Sequence, residues 1–343
     1  MKRMLGVFLL VLLVLLVLTP LTSGAAKEKL VIQIWPGDYE AIYEEYVIQP
    51  FEKQYGVDVI TTTGIEWYTL ARVTEMVASG RPDVDVIQNT VSDYMRGAKM
   101  ELWAKLDYEN ISNSQDVYEQ FKAPDGIGFE TYGMALVYNK KTGKPIPQVL
   151  ADLWNPIYKI SIVRTHEQYL IPMINHMLTG HFTPVDLDAV FNKLKELTPQ
   201  ILTISGSMSE IRTLIVNNEI DLAEVFNNRL GTMIDDGMQV QYVSFPSAFI
   251  GVDYWSIVKG SLHKELAEKF IDFSLAVEQQ LANVEHQYLG PTNLKVKLEY
   301  DFVVTKGVAY GSRLAGFTMD DYKYIADHLD EWTTRWQKWL AGF

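Results

Sequence analysis

The run KLVIQIW at residues 29–35 is apolar, rich in β-branched residues, and ends at Pro36-Gly37. This composition predicts a buried strand that ends in a loop. The runs VDVITT at 57–62 and VDVIQ at 84–88 predict two further strands. Because segments with helical spacing of apolar residues lie between these runs, the sequence predicts an α/β fold, with a mostly parallel sheet and helices on both faces.

The same pattern continues through the rest of the chain. Further strands are predicted at 134–138, 220–226, 240–245 and 252–258. Helices are predicted at 39–55, 67–79, 210–218, 261–287 and 319–343. Thr183-Pro184 predicts another helix start, with Thr183 as its N-cap. In the last helix Trp332, Trp336 and Trp339 recur at steps of four and three, which favours a docking face over an aromatic ligand site.

The first 26 residues have the layout of a secretory signal peptide. Two basic residues precede an uncharged apolar run over 5–18, and small residues follow at 23–26. The run is shorter than the ~20 residues of an ordinary membrane-spanning helix, although an uncleaved anchor is the alternative. We expect cleavage after Ala25 or Ala26 and a protein in the periplasm or cell envelope. Because the chain has no cysteine, we expect no lipid anchor.

Composition excludes several classes of protein. Of 343 residues, 48% are hydrophobic and 21% charged, which is typical of a globular chain and not of a disordered one. The absence of cysteine excludes disulfide and thiolate-metal scaffolds. A net charge of −13 argues against a nucleic acid partner. The length predicts two domains.

The sequence lacks the motifs of common catalytic and metal sites. Its six histidines include no HExxH or comparable metal-ligand grouping. Gly206-Ser207 lacks the spacing of a nucleophile elbow and is expected to cap the next helix. Gly126-Ile127-Gly128 lacks the third glycine and the Lys-Ser/Thr pair of a phosphate loop. We therefore expect no enzyme activity, no cofactor and no metal.

Aromatic residues stand beside acids at the ends of predicted strands. Trp35, Asp38 and Tyr39 follow the first strand, and Glu224, Phe226 and Asn227 are at the end of another. Asp253, Tyr254 and Trp255 sit in the strand predicted at 252–258. In open α/β sheets, ligands bind beyond the carboxyl ends of strands, where these clusters are expected to lie. Aromatic faces beside carboxylates suit organic cations through cation–π contacts and charge-assisted hydrogen bonds, and they suit sugars almost as well.

Five segments carry a family pattern in order over about residues 29–298. They are PFEKQYGVDV at 50–59, PDVDVI at 82–87, FETYGMALVYN at 129–139, ADLWNPIYK at 151–159 and YLGPTN at 288–293. Together they resemble the extracellular solute-binding proteins of ABC importers, in the branch that includes spermidine/putrescine-binding proteins. The resemblance implies two α/β lobes joined by a hinge around an interlobe ligand cleft. The implied lobes are 27–134 plus 251–298, and 139–248 plus 299–343.

The resemblance also implies site residues. Asp253 falls on the family's ammonium-binding aspartate, whereas Gly251 and Phe226 replace two of its aromatic rings. Thr165 and Tyr169 stand at its acidic pair, with His166 and Glu167 nearby. The predicted ligand-binding residues are Trp35, Asp38, Tyr39, Asn89, Tyr132, Glu167, Phe226, Asn227, Asp253 and Trp255.

The expected function is capture of a small solute by a monomer and its delivery to a membrane permease. The expected solute is a polyamine or another small organic cation, with a sugar, thiamine, a phosphonate or a ferric chelate as alternatives. A secreted hydrolase that uses Glu167 and Asp253 is the competing class. That chemistry needs two carboxyls about 5–9.5 Å apart in one cleft.

Overall fold

The computed structural model describes residues 27–63, 70–243, 249–315 and 318–343. The predicted signal peptide, residues 1–26, lies outside these ranges, as does the start of the helix predicted at 67–79. Within the described ranges, no helix is long and apolar enough to cross a bilayer.

Eleven strands and twelve α-helices make up the described chain, together with short 3₁₀ turns. The strands are β1 Lys29–Ile34, β2 Asp58–Thr63, β3 Val86–Thr90, β4 Lys122–Ala123, β5 Gly126–Asn139, β6 Ile160–Val163, β7 Ile201–Ser205, β8 Leu222–Phe226, β9 Val240–Val243, β10 Ile250–Ile257 and β11 Gly290–Pro291. The helices are α1 Asp38–Tyr43, α2 Gln49–Tyr55, α3 Leu70–Ser79, α4 Val91–Lys99, α5 Glu167–Thr179, α6 Leu187–Leu197, α7 Met208–Val216, α8 Asn227–Asp235, α9 Lys264–Ser274, α10 Val277–Gln287, α11 Tyr300–Lys306 and α12 Met319–Leu340.

One strand, β5, connects two sheets. Its first half pairs with β10, and β10 continues to the parallel strands β3, β1 and β2; we call this the first sheet. Its second half, from Met134, pairs with β8 and β9, and β8 continues to the parallel strands β6 and β7; we call this the second sheet. The α/β prediction is confirmed, with antiparallel β5 and β10 added to two parallel sets.

β5 is longer than the predicted strand 134–138. It runs from Gly126 to Asn139, and every residue in it is buried. Glu130, Thr131 and three glycines interrupt the apolar pattern of its first half, so a hydrophobic run alone does not reveal it. Buried polar groups in a central strand need hydrogen-bond partners, and Glu130 has them inside the protein.

Two predicted helices differ from the structure. The helix predicted at 261–287 is two helices, α9 and α10, because Ala276 between them has an extended backbone, with φ −66° and ψ 152°. The helix predicted from Thr183 begins instead at Leu187. Its N-cap is Asp186, whose carboxylate accepts from the backbone N–H of Ala189 at 3.0 Å.

The segment 38–55 is helical, as predicted, but contains a π-helical stretch, Glu44–Ile48, between α1 and α2. Ser207 caps α7, as expected, by accepting from the N–H of Glu210. α1 and α7 begin within four residues of the ends of β1 and β7.

The C-terminal helix α12 packs along helices of both sheets. Trp332 and Trp336 are buried, and the indole of Trp336 donates to the carbonyl of Arg164, which confirms the predicted docking face. Asp330 pairs with Arg96 of α4, beside the first sheet. Thr333 donates to Glu167 of α5, beside the second sheet. The helix therefore joins the two sides of the molecule.

Candidate functional site

A cleft of about 480 Å³ lies where parallel strands of both sheets end. Trp35 follows β1 directly and Thr90 ends β3, on the side of the first sheet. Phe226 ends β8 and Thr165 comes two residues after β6, on the side of the second sheet. All four line the cleft. The cleft therefore lies at the carboxyl ends of the strands, where a ligand is expected from the sequence.

Five of the ten predicted ligand-binding residues line this cleft: Trp35, Tyr39, Tyr132, Phe226 and Asp253. The other lining residues are Pro36, Thr90, Asp93, Glu130, Thr165, His166, Gln168, Tyr169, Asn228, Arg229 and Leu289. The cleft thus combines aromatic rings, three acids, one arginine and one histidine.

The other five predicted residues are placed elsewhere. Asp38 is exposed in α1. Asn89 is buried in β3 and donates to the carbonyl of Ile87. The buried ring of Trp255 stacks on Phe129 with centroids 4.2 Å apart. These three side chains belong to the protein surface, the sheet and the core behind it, respectively.

Asn227 and Glu167 also make contacts within the protein. The Asn227 side chain accepts from the N–H of Gly133 and donates to the carbonyl of Tyr288, both at 2.7 Å. It thereby fastens α8 to the middle of β5. Because Glu167 accepts from Thr333 of α12 and does not line the cleft, it does not form the carboxyl pair with Asp253 that the hydrolase hypothesis needs.

Glu130 and Asp253 form a buried acid pair. They lie directly opposite each other on β5 and β10, and are 1% and 3% exposed. Asp253 Oδ2 accepts from Trp35 Nε1 at 2.7 Å and from Gln88 Nε2 at 3.3 Å. Its Oδ1 is buried and receives no hydrogen bond from the described amide, indole and hydroxyl groups.

The Glu130 carboxyl is held by neutral donors. Its Oε1 accepts from Gln88 at 2.9 Å, and its Oε2 accepts from the Tyr39 hydroxyl at 3.1 Å and from Asn283 at 2.5 Å. The pKa of Glu130 is raised well above its usual range. Burial is the larger cause, and repulsion from Asp253 is the second. Burial also raises the pKa of Asp253, to about 7, against the opposing effect of its hydrogen bond from Trp35.

The third acid of the cleft, Asp93, has its partners already. It accepts from Thr90, the N-cap of α4, and lies 3.7 Å from the guanidinium of Arg96. Burial raises its pKa, and the contacts with Thr90 and Arg96 oppose that shift. Of the three acids, Asp253 is therefore the one that offers an oxygen to a ligand.

The opposite side of the cleft carries Arg229 and His166. Among the described residues, no carboxylate lies within ion-pair distance of the Arg229 guanidinium. Burial lowers its pKa, and nearby Asp38 raises it, but arginine stays charged in proteins. His166 instead has a buried partner, because its Nδ1 lies 2.9 Å from Glu224 Oε2. We call this side the basic wall, and the side with Glu130 and Asp253 the acidic wall.

At position 251 the chain has glycine where the resemblance implies an aromatic residue. The ring of Tyr132, from the neighbouring strand, fills the space that this leaves in the cleft. Gly251 and Tyr132 are directly opposite on β10 and β5. A Cβ added at Gly251 would lie 2.1 Å from the Tyr132 ring. The ring of Tyr132 thus occupies the space over residue 251, and it packs edge-on against Phe226 at 5.3 Å.

Comparison with known proteins agrees with this architecture. The family model described as bacterial extracellular solute-binding protein matches residues 46–309. The chain belongs to this family. Within the described residues no group of three metal-ligating side chains occurs.

Similar proteins cover nearly the whole chain. A γ-aminobutyric acid-binding protein of Pseudomonas aeruginosa is 23% identical over 331 residues, 92% of each chain. An ABC transporter substrate-binding protein from Bradyrhizobium japonicum has a TM-score of 0.81 at 20% identity, covering 91% of this chain and 99% of that one. The PBP AgtB from A. tumefaciens, in complex with agropinic acid, has a TM-score of 0.75 at 24% identity, covering 92% and 99%.

Sequence reasoning missed Glu130 and Arg229 in this solute-binding protein. Glu130 stands in the family-like segment FETYGMALVYN at 129–139, but nothing in the sequence pairs it with Asp253 on a strand far along the chain. Arg229 lies in NNRLG, immediately after the Phe226-Asn227 cluster. A basic residue in the first turn of a helix that follows a strand end is the one signal that could have indicated it.

Proposed function

We propose that the protein captures a small zwitterion, with one ammonium and one carboxylate group, and delivers it to an ABC permease. The observation that carries this proposal is the charge of the two walls. Asp253 on the acidic wall and Arg229 on the basic wall line one cleft, and each lacks a charged partner among the described residues.

The acidic wall suits an ammonium group. Asp253 Oδ1 has an unused acceptor position in a dry environment, where a charge-assisted hydrogen bond is stronger than in water. Trp35 and Tyr132 line the cleft beside it and supply aromatic faces for cation–π contact. A ligand ammonium would therefore supply the positive charge that the acid pair lacks.

The basic wall suits a carboxylate group. Arg229 presents a planar set of donors that matches carboxylate geometry. It belongs to the first turn of α8, and the lining residues Thr165, His166 and Gln168 surround the start of α5. Helix N-termini carry partial positive charge and favour anions. The carboxylate would replace the counter-charge that Arg229 lacks.

The P. aeruginosa relative supports this ligand class, because the ligand in its name, γ-aminobutyric acid, carries one ammonium and one carboxylate. The polyamine that the sequence led us to expect fits the acidic wall equally well. It differs at the other end, where a second ammonium would face Arg229. We therefore propose an ω-amino acid or a related zwitterion over a polyamine.

Titration calorimetry of the purified exported protein tests this function. The probes are 4-aminobutanoate and 1,4-diaminobutane, which share a four-carbon chain and differ at one end. We expect tighter binding of 4-aminobutanoate, and recovery of the ligand unchanged. Tighter binding of 1,4-diaminobutane, binding of a sugar or ferric chelate alone, or conversion of the ligand would contradict the proposal.

We further propose the cellular setting that the sequence indicates. The protein is exported by residues 1–26, remains free in the envelope as a monomer, and closes around its ligand. The predicted lobes move about the connections through β5 and β10, with α12 following both. Equal small-angle scattering profiles with and without a bound ligand would contradict the closure.

A further inference from the structure

We propose that Glu130 keeps its proton in the folded protein, so that the Glu130–Asp253 pair presents one negative charge to the cleft. Glu130 is then uncharged and limits the acidic wall to one ammonium group. The statement about the proton stands on the acid pair alone. The consequence for ligand choice rests on the proposed function.

The position of the two carboxyls favours one proton between them. They are directly opposite on neighbouring strands, and one amide nitrogen, Gln88 Nε2, donates to both. Two like charges in a dry site repel each other strongly, which favours the same arrangement.

The remaining partners of the pair supply no positive charge. The donors that reach the two carboxyls are the side chains of Trp35, Tyr39, Gln88 and Asn283. All four are neutral. Hydrogen bonds from neutral groups stabilise one buried charge, but two buried charges without a cation have a large desolvation cost.

Access to the cleft assigns the charge to Asp253 and the proton to Glu130. Asp253 keeps a free acceptor, Oδ1, where a ligand can reach it, whereas both oxygens of Glu130 are enclosed by protein groups. The donors to Glu130 favour its ionised form, but burial and the charge of Asp253 outweigh them. The pKa of Glu130 is raised well above its usual range, and that of Asp253 is raised to about 7. Above about pH 7 the charge therefore resides on Asp253, and the pair titrates as a unit.

Other titratable groups face the pair from every element around the cleft. They are Tyr39 of α1, Asp93 of α4, Tyr132 of β5, His166 before α5, Tyr169 of α5, and Arg229 of α8. Asp93 is bound to Thr90 and Arg96, and its charge raises the pKa of Asp253. Burial raises the pKa of the three tyrosines, so they remain neutral. Arg229 carries the remaining positive charge of the lining, and His166 faces its own partner, Glu224.

One negative charge has a consequence for selectivity. A single ammonium neutralises Asp253 and can donate to its Oδ1, while the Glu130 proton stays in place. A ligand that brought two cationic groups to the acidic wall would need the second carboxyl ionised. Release of the Glu130 proton would then accompany binding, and its free-energy cost would weaken that ligand relative to a monocation.

Infrared spectroscopy of the free protein tests the proton directly. At about pH 8.5 in heavy water, where Asp253 with its pKa of about 7 is ionised, we expect the carbonyl stretch of a protonated carboxyl in the wild type and its loss in Glu130→Gln. Asp93→Asn, which removes another acid of the cleft, is expected to keep the band. If Glu130→Gln keeps the band, or the wild type lacks it, the proposal is wrong. This measurement needs no ligand, so it stands even if the proposed function fails.

Calorimetry with 4-aminobutanoate tests the consequence. Asp253→Asn is expected to lower affinity more than a hundredfold, and Glu130→Gln less than tenfold, because an amide donor replaces a hydroxyl donor. Equal losses in the two variants, with a normal melting temperature for each, would show that both carboxyls are ionised in the complex. Failure of the wild type to bind either four-carbon probe would contradict the proposed function instead, with the infrared result unaffected.

Discussion

The acidic and basic walls of the cleft hold their buried charges in different ways. On the acidic wall, Glu130 and Asp253 are surrounded by neutral donors, and no cation of the described residues pairs with them. On the basic wall, Glu224 is hydrogen-bonded to His166, and Arg229 has no ionic partner among the described residues. A buried charge without a counter-charge is costly to the free protein. Each wall therefore keeps one such charge for which a ligand supplies the partner.

Breaking the pair on the basic wall should have the largest effect on stability. His166→Leu leaves Glu224, which is 1% exposed, without its hydrogen bond to His166 Nδ1. We expect a loss of roughly 3 kcal/mol in the free energy of unfolding, measured by urea denaturation. The double variant His166→Leu with Glu224→Leu removes both polar groups and should recover most of that loss. A double variant as unstable as the single one would show that the two residues do not depend on each other.

Removing the unpaired charge should affect binding instead of stability. We expect Arg229→Met to lower the affinity for 4-aminobutanoate roughly a hundredfold, about 3 kcal/mol, because the ligand carboxylate loses its partner. The affinity for 1-aminobutane, which has no carboxylate, should change only a fewfold. Arg212→Met, at a surface pair with Asp236, is the matched control and should leave both affinities unchanged. Equal losses for both ligands would place the carboxylate elsewhere.

The aromatic part of the acidic wall depends on close contact at Gly251. Gly251→Ala adds a Cβ that would lie 2.1 Å from the Tyr132 ring, and we expect a loss of about 2 kcal/mol in stability from overpacking. In a Tyr132→Ala background the same change should be far less costly. Gly206→Ala, whose Cβ meets only one oxygen at 3.9 Å, is a control with little expected effect. An equal cost of Gly251→Ala in both backgrounds would mean that backbone strain, and not the ring, is responsible.

The acidic wall also shows how far the sequence leads. Trp35 ends a β-branched run and Tyr39 follows it, so the strand end places both near a ligand. Asp253 stands inside another such run and is indicated by its aromatic neighbours and by the family resemblance. Asp38 comes from the same cluster as Trp35 and Tyr39 but points to solvent, because adjacent residues of a helix face different directions. Position along the chain thus identifies the edge of the sheet, while the direction of each side chain needs the helix phase.

The remaining features depend on contacts between distant parts of the chain. Glu130 meets Asp253 only because β5 and β10 pair in one register, and a shift of one residue would turn Glu130 away. Asn227 was expected at the ligand, but its side chain bonds the backbone of Gly133 and Tyr288. The break between α9 and α10 at Ala276 carries no proline or glycine to indicate it. Tertiary packing decides all three.

A change of pH should have the smallest of the predicted effects. It should act on the acidic wall, through the titration of Asp253. Since burial raises the pKa of Asp253 to about 7 in the folded protein, and an ammonium ligand favours its ionised form, affinity should fall as the pH drops below about 7. The expected slope approaches tenfold per pH unit, about 1.4 kcal/mol. The sign for stability is the opposite. A folded-state pKa above the unfolded value means that the folded protein binds the proton first, so this group stabilises the fold as the pH falls.

Calorimetry and thermal unfolding between about pH 8 and pH 5 measure both effects. As the pH falls, the melting temperature of the wild type should rise relative to that of Asp253→Asn. The affinity of the wild type for 4-aminobutanoate should decrease over the same range. Glu130→Gln should keep the affinity slope, because a carboxyl that never ionises in this range contributes nothing to it. A slope that disappears in Glu130→Gln would move the titrating group from Asp253 to Glu130. The acidic wall would then respond to pH through the carboxyl that faces the protein rather than the one that faces the ligand.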